Sequence, residues 1–427
     1  MRYLALTPKD REEMLKVIGV KNVDELFDAV PSEFLLKSPI QGLENHQGEI
    51  EVEQFLKALA AKNRSAGDGP FFLGAGINRH HVPASVDHII QRSEFLTSYT
   101  PYQPEISQGT LAVIFQFQSI IALLTGMEVS NASMYDGATS LSESCLMSLR
   151  IKQGRKNIAL HGHVNPDYVE VTKTYLELSE SKFVSDDKLD ENCAALIVQY
   201  PDFYGTVEDL DVLRKKCDAV GALLIVVTTE ILSLGLLNAP KQADIVVGEA
   251  AGLGVGLNFG GPLLGFFACR KEFVRQVPGR ICGATTDVDG KEGYVLTLNA
   301  REQHIRREKA TSNICSNQGL CATAFTIHVS LLGEIGFKKL ALINHKKACD
   351  LADLLEKVKG VKVLNDSFFN EFTIELSKDA KEVNKKLLAK NIIGGFADGK
   401  KMVVAVSELT SAQDMEIFAK ELGEILV

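Results

Sequence analysis

Residues 244–266 read DIVVGEAAGLGVGLNFGGPLLGF, and the fold is decided by what surrounds the glycines in this stretch. Seven glycines fall within it, directly behind the apolar run Ile245–Val247. Glycine density of this kind lets a backbone approach a phosphate, but a dinucleotide fingerprint requires GxGxxG between a strand and a helix. Here Gly252, Gly254 and Gly256 are spaced GxGxG, and Leu257 stands where the third fingerprint glycine belongs. No helical pattern follows, because LLGFFAC (263–269) is another apolar strand. A nicotinamide or flavin site is disfavoured, and a tight crossover between two sheet strands is the plain alternative.

Outward from this point, strand and helix patterns alternate from about 110 to 300. The runs KNIALHGHV (156–164), AALIVQYP (194–201) and ALLIVVT (222–228) are separated by helical patterns such as DYVEVTKTYLEL and VEDLDVLRKKCDAVG. Near-continuous apolar strands between helices imply an α/β unit with a mostly parallel sheet covered on both faces. After 317 the pattern changes to long helices over 318–331 and 336–357. These precede strands at VKVLN, EFTIEL and KMVVAVS, a helix over 380–390 and a last one capped near Thr410, which together predict a smaller α+β domain. At the other end, Thr7-Pro8-Lys9-Asp10 is a capping box with proline at the first helical position, predicting a helix to about Gly19. NVDELFDAVP predicts a second helix closed by Pro31, and 51–63 a third, all before the first strand signal, FFLG (71–74). The expected organisation is a helical arm over 1–65, a large domain over 66–317 and a small domain over 318–427. The arm's apolar faces lack a local core, which fits docking elsewhere on the protein or on another chain.

Composition narrows the function classes. The chain has 427 residues, 45% of them apolar and 24% charged, the proportions of an ordinary globular protein. A net charge of −9 argues against nucleic acid as a partner, since phosphate binding needs clustered Lys and Arg. No apolar run reaches the roughly 20 residues needed to span a bilayer, and MRYLALTPKDREEM turns charged too early for a secretory signal. Eight scattered cysteines without a CxxC pair suit a reducing compartment, so the cytoplasm is the expected location. His161 and His163 share a strand face, but no further ligand lies near them in sequence, and no metal is expected.

Three other stretches carry candidate chemistry. In SNASMYDGATSLSESCLMSLR (130–150) a short strand leads through Asp136-Gly137-Ala138-Thr139-Ser140 into a helix; free N–H groups there form either an anion site or a plain N-cap. In LTSYTPYQPEISQGTLAVIFQFQ (96–118), aromatic and proline residues are packed with Gln103, Glu105 and Ser107. That loop either lines a small-molecule site, with Tyr99 or Tyr102 offering hydroxyls, or is a proline-stiffened turn. NAREQHIRREKATSNICSNQ (299–318) surrounds His304 with Arg301, Arg306, Arg307 and Lys309 and runs into Ser312 and Asn313 at the expected domain junction. A solvated helix with internal ion pairs is the ordinary reading; a site at the junction is the other.

Together, YTPYQPEISQG, NASMYDGATS, VQYPDFYG and REQHIRREKATSNICSNQ resemble the first subunit of the two-subunit glycine decarboxylases of the glycine cleavage system, collinearly over the chain. The resemblance implies an aspartate-aminotransferase-like fold, the type I fold of pyridoxal phosphate enzymes. In that fold the cofactor is held by a lysine after the strand corresponding to DIVVG and before the GG turn, and an aspartate on the preceding strand pairs with the ring nitrogen. Here no lysine lies between Asp244 and Gly261, and Thr228 and Thr229 stand where the aspartate is expected. The resemblance therefore implies that a second, lysine-bearing subunit carries the pyridoxal phosphate, in an α2β2 heterotetramer; the length fits this separate-subunit form rather than the fused one. It implies further that glycine is decarboxylated on the partner's cofactor and its aminomethyl group passed to a lipoyl carrier protein. On this reading Tyr99, Tyr102, Gln103 and Glu105 are the candidate contributors to a shared active site. Ser133, Asp136, Thr139 and Ser140 mark the turn that holds phosphate in sister enzymes. Arg301, His304, Arg306, Lys309, Ser312 and Asn313 are candidate substrate or interface residues. The alternatives are a self-sufficient pyridoxal phosphate enzyme using an unconventional lysine such as Lys309, and a catalytically silent scaffold.

Overall fold

The computed structural model describes residues 6–43 and 46–427. Residues 1–5 and 44–45 of the expected arm lie outside the described residues. The chain divides into two compact units, Met1–Arg64 and Ser65–Val427.

In the first unit, α1 (Pro8–Ile18) begins at the expected capping box, in which the Thr7 hydroxyl and the Asp10 carboxylate each accept from the other's backbone N–H. NVDELFDAVP forms only a single turn of 3-10 helix over Asp24–Phe27, and α2 runs Glu49–Ala60. No described residue of α1 or α2 is buried.

The second unit starts with a departure from the sequence reading. FFLG is not a strand: Phe71 makes an isolated parallel bridge with Ile393. Phe72, fully buried, stacks on Phe418 with ring centroids 4.3 Å apart. Two short helices, α3 (Ala84–Ile90) and α4 (Ser93–Leu96), lead to α5 (Gln108–Thr125). The alternation then follows as β1 (Val129–Ser130), α6 (Gly137–Ile151), β2 (Asn157–His161), α7 (Pro166–Leu176), β3 (Lys182–Ser185) and β4 (Cys193–Gln199). It continues through α8 (Leu210–Val220), β5 (Leu223–Thr228), β6 (Ile245–Glu249) and β7 (Gly265–Cys269). These strands form one seven-stranded sheet in the order β1-β7-β6-β5-β4-β2-β3. Strands β2 to β6 are mutually parallel, and β7 returns antiparallel beside β6. Every residue of β4, β5, β6 and β7 is buried, which is why these strands read as unbroken apolar runs rather than alternating ones.

The glycine-rich stretch is thus a crossover between two antiparallel neighbours. Gly254 shows why one of its glycines is needed: its φ is +99°, and a Cβ there would lie 2.6 Å from the Ala324 carbonyl. A two-stranded ribbon, β8 (Ile281–Thr286) with β9 (Glu292–Thr297), and the single turn α9 (Gln303–Arg306) follow.

The long α10 (Gly319–Leu355) spans both expected helices, broken at Gly333 (φ 59°, ψ −177°) as the sequence pattern predicts. The remaining chain, β10 (Val361–Val363), β11 (Glu371–Leu376), α11 (Ala380–Ala389), β12 (Phe396–Asp398), β13 (Lys401–Ala405) and α12 (Ala412–Leu426), builds an antiparallel sheet in the order β10-β11-β13-β12. Helices α5 and α10 are long and apolar enough to cross a membrane by length and composition. Part of each is spent in the core, where Phe117 of α5 meets Phe325 of α10 edge-on at 5.6 Å.

Candidate functional site

In an open parallel sheet, ligands bind beyond the carboxyl ends of the strands. Here that edge carries Gln199, Thr228-Thr229-Glu230 and Glu249-Ala250-Ala251-Gly252, and the smaller sheet faces it. Polar groups of the chain bridge the two. The fully buried ring of His80 lies between two carboxylates, with Nδ1 2.9 Å from Glu408 Oε2 and Nε2 3.0 Å from Glu230 Oε2. Burial works against the imidazolium, but the Glu230 and Glu408 carboxylates outweigh it and push the His80 pKa up to about 10. Burial likewise works against the Glu408 carboxylate, and the His80 contacts outweigh that, holding it at about 2. His328, desolvated and facing His80, is pushed down to about 4. Nearby, Glu371 accepts from Asn78 Nδ2 (2.6 Å) and from the backbone of Ala75 (3.0 Å) and Gly76.

Another internal carboxyl group is that of Glu249, the last residue of β6, which burial pushes up while its backbone contacts work against that. Its Oε1 accepts from the backbone N–H of Ala250 (3.1 Å), Ala251 (3.0 Å) and Leu264 (2.7 Å). Its Oε2 accepts from Gly137 N–H (3.1 Å), the first residue of α6. The turn 133–140 is consequently closed. Asp136 caps α6 through Thr139 N–H (2.7 Å), the Thr139 and Ser140 hydroxyls return to the Asp136 carbonyl, and the Ser133 hydroxyl accepts from Gln318 N–H (3.0 Å). Of the two sequence readings of this turn, the structure shows the N-cap, and the Gly137 N–H that an external anion would need is taken by Glu249.

Pyridoxal phosphate does not fit these residues. No lysine lies in the β6–β7 crossover, and Lys241 and Lys271 flank the opposite end of β6, where Ile245 pairs with Cys269, about 13 Å from Glu249 at the usual strand rise. A side chain built at Gly252 would meet the His80 ring, its Cβ 3.2 Å from Cδ2. The Thr228 hydroxyl is buried without a hydrogen-bond partner, and carries no charge to hold a pyridinium.

A second cluster lies where residues 277–282, 312–318 and the 131–135 turn converge. Arg280, only 5% exposed, donates through Nη2 to the Tyr102 hydroxyl (3.1 Å) and the Cys315 carbonyl (2.8 Å), and through Nη1 to Ser316 Oγ (3.0 Å). Its guanidinium also lies over the Tyr102 ring at 5.4 Å, and His304 meets that ring edge-on at 5.7 Å. The structure therefore unites two of the sequence candidates, Tyr102 and His304, around a buried cation that the sequence reading missed. Tyr99 is 83% exposed, and Gln103 and Glu105 are exposed on the same loop.

The charge run 301–309 is not a solvated helix. It breaks into short turns at Arg307, whose φ is +56°, and Glu302 is buried. Arg301 turns inward to the carbonyls of Val277, Gly279 and Leu298, so it braces the ribbon's approach. Arg306 and Lys309 are exposed. The Ser312 hydroxyl accepts from Ile314 N–H (3.1 Å) and donates to the buried Glu143 carboxylate, whose carboxyl burial pushes up. The Asn313 side chain is exposed, and its carbonyl accepts from Gln303. His161 is paired with Asp186 (2.7 Å), and His163 lies edge-on to Tyr204. No cluster of metal-holding side chains occurs among the described residues.

A seven-stranded sheet of this order facing a small antiparallel one is the fold of the type I pyridoxal phosphate enzymes. Sphingosine-1-phosphate lyase of Burkholderia pseudomallei shares it at 14% identity and a TM-score of 0.66, over 91% of this chain and 92% of that one. A glycine decarboxylase (P-protein) of the glycine cleavage system, crystallised in inhibitor-bound form, matches at a TM-score of 0.92 and 39% identity over all of both chains. The family model for the glycine cleavage system P-protein matches residues 1–422, and the chain belongs to that family. It is 52% identical to the probable glycine dehydrogenase (decarboxylating) subunit 1 of Erythrobacter litoralis, over all of both chains. It is 51% identical to the protein of the same description from Caulobacter vibrioides, over 100% of this chain and 99% of that one.

Proposed function

We propose that this chain is the subunit of a two-subunit glycine decarboxylase that does not anchor the cofactor, acting in the glycine cleavage system. The observation that carries the reading is the crossover after β6, which lacks a lysine and whose cradle is filled by Glu249. The pyridoxal phosphate belongs to a lysine-bearing partner subunit, with which this chain forms an α2β2 assembly in the cytoplasm. The cofactor there supplies the electron sink that lets glycine lose its carboxylate. This chain's share is the loop carrying Tyr99, Tyr102, Gln103 and Glu105. Arg280 holds the Tyr102 oxygen from behind, which leaves the phenolic proton free to be donated outward to a carboxylate or amine on the partner's side. Exposed Arg306 and Lys309 offer positive charge to a lipoyl carrier protein that collects the aminomethyl group.

Glycine–CO2 exchange measured with this chain alone, with the partner alone and with both together tests the reading. Activity only in the mixture is expected. A borohydride-reducible lysine adduct of pyridoxal phosphate on this chain alone would overturn it. Tyr102→Phe and Gln103→Ala in the reconstituted complex separate a catalytic wall from a silent scaffold: a lowered exchange rate with assembly intact is expected.

A further inference from the structure

The Glu249 carboxylate sits in an arrangement built for an anion. Four backbone N–H groups from three separate segments converge on its two oxygens: the start of α6, the 250–251 turn and Leu264 ahead of β7. The residue is 8% exposed, and no lysine or arginine pairs with it among the described residues. Burial pushes the Glu249 carboxyl up, and the N–H groups of Ala251, Leu264 and Gly137 work against that by favouring its charged form, the way a helix N-terminus meets a phosphate. Gly137 is part of the construction, because a Cβ there would lie 2.2 Å from the Tyr168 hydroxyl oxygen, so a larger residue would have to displace the Tyr168 ring. A carboxylate buried this deeply without a cationic partner is otherwise costly.

We infer that Glu249 is an internal anion standing in the place of a cofactor's phosphate, so that the chain closes its own cradle to phosphorylated ligands. This rests on the assignment of the cofactor to the partner subunit and says how this chain excludes it. The nest remains chemically an oxyanion site, and removing the side chain uncovers it. The atoms lost in Glu249→Ala are nearly as many as the heavy atoms of orthophosphate, and the four N–H donors are left facing the void. Asp136, capping α6 beside the nest, opposes a dianion and favours weak binding of the monoanion.

The test uses the full chain and inorganic phosphate, followed by thermal unfolding and by calorimetric titration. Wild type is expected to show no phosphate-dependent rise in Tm beyond that given by chloride at equal ionic strength. Glu249→Ala is expected to unfold at lower temperature and to regain about 2 °C as phosphate passes tenfold its Kd. Glu249→Asp, which keeps a carboxylate in the nest, is expected to remain unresponsive. A folded Glu249→Ala chain that gains no phosphate response overturns the inference, as does a wild-type chain that responds as strongly as the variant. If Glu249→Ala does not accumulate folded, refolding yield decides: recovery with phosphate but not chloride supports the inference, and no recovery overturns it. Borohydride trapping on the wild-type chain reads the cofactor assignment separately, whichever way the phosphate experiment falls.

Discussion

The cleft beyond β5 and β6 and the loop around Tyr102 are both polar, and they differ in where their hydrogen bonds end. In the cleft every charge is answered from within: His80 by Glu230 and Glu408, Glu249 by backbone N–H groups. At the loop only the base is fixed. Arg280 anchors the Tyr102 oxygen while Tyr99 and Ile106 stand 83% and 80% exposed. The cleft's charged groups are paired from inside, with neutral atoms such as the Thr228 hydroxyl and His328 Nδ1 left without a hydrogen-bond partner, whereas a stiff loop held from behind is preorganised for something outside it. On the proposed function, the region that the fold normally uses for catalysis does structural work and the loop faces outward.

The strongest way to break this contrast is to unbalance the cleft. His80→Ala leaves Glu230 and Glu408 buried and facing each other, and breaking such a buried pair costs about 3–5 kcal/mol. Urea unfolding of the full chain measures it; a loss below about 1 kcal/mol would mean that the cleft is open to water and to ligands. Next in size is Arg280→Met, which removes charged donors from Tyr102, Ser316 and the Cys315 carbonyl. Hydrogen bonds to charged groups contribute about 1.5–3 kcal/mol. Freeing Tyr102 is expected to cost the reconstituted complex about 10–100-fold in glycine–CO2 exchange, since misplacement by an ångström has that effect. Stability loss with unchanged exchange would move the loop into the structural class as well.

The cleft also has a pH signature that the loop lacks. His80 is charged in the folded chain up to about pH 10 and neutral above about 6.5 when unfolded. Its contribution is therefore whole below pH 6.5 and is lost as pH rises through 10. His328 acts oppositely: held near 4, it stays neutral in the folded chain while the unfolded chain takes up a proton, so stability falls as pH drops from 6.5 toward 4. Glu408, held near 2, adds a further loss as pH falls through that value. Stability against pH is expected to show both flanks, and His80→Gln to flatten the alkaline one. An alkaline flank that survives His80→Gln would assign it to another group.

Much of the fold is legible in the sequence because β4 to β7 are buried throughout, which writes them as continuous apolar runs, and because Gly333 marks the break in α10. FFLG misleads for the same reason, since Phe72 is buried in the smaller sheet's core without belonging to a ladder. The site is less legible. Tyr102 and His304 stand out as local patterns, but Arg280 is a lone cation between apolar runs, and its partners come from segments 35 to 178 residues away. Glu249 reads as an ordinary strand end until Gly137, 112 residues earlier, is placed against it. The absent lysine is visible in sequence, but the convergence of the Gly137, Ala250, Ala251 and Leu264 N–H groups on Glu249 is set by tertiary structure.

The smallest expected effect is the one that discriminates between readings of the charge run. Lys309 is exposed on the turn after α9, and surface substitutions of this kind stay within about 0.5 kcal/mol. Lys309→Ala is therefore expected to leave unfolding unchanged and to leave exchange in the complex unchanged when free lipoic acid replaces the carrier protein. With the carrier protein itself, the loss of one exposed charge is expected to raise its apparent KM about two- to fivefold at low salt, and less at high salt, because interactions between exposed charges are screened within about 10 Å. If exchange collapses with free lipoic acid as well, Lys309 works in the chemistry and the chain is a self-sufficient enzyme with a displaced lysine. If neither assay moves, the carrier docks elsewhere, and the 301–309 run matters through Arg301, which it turns inward to hold the carbonyls of Val277 and Gly279.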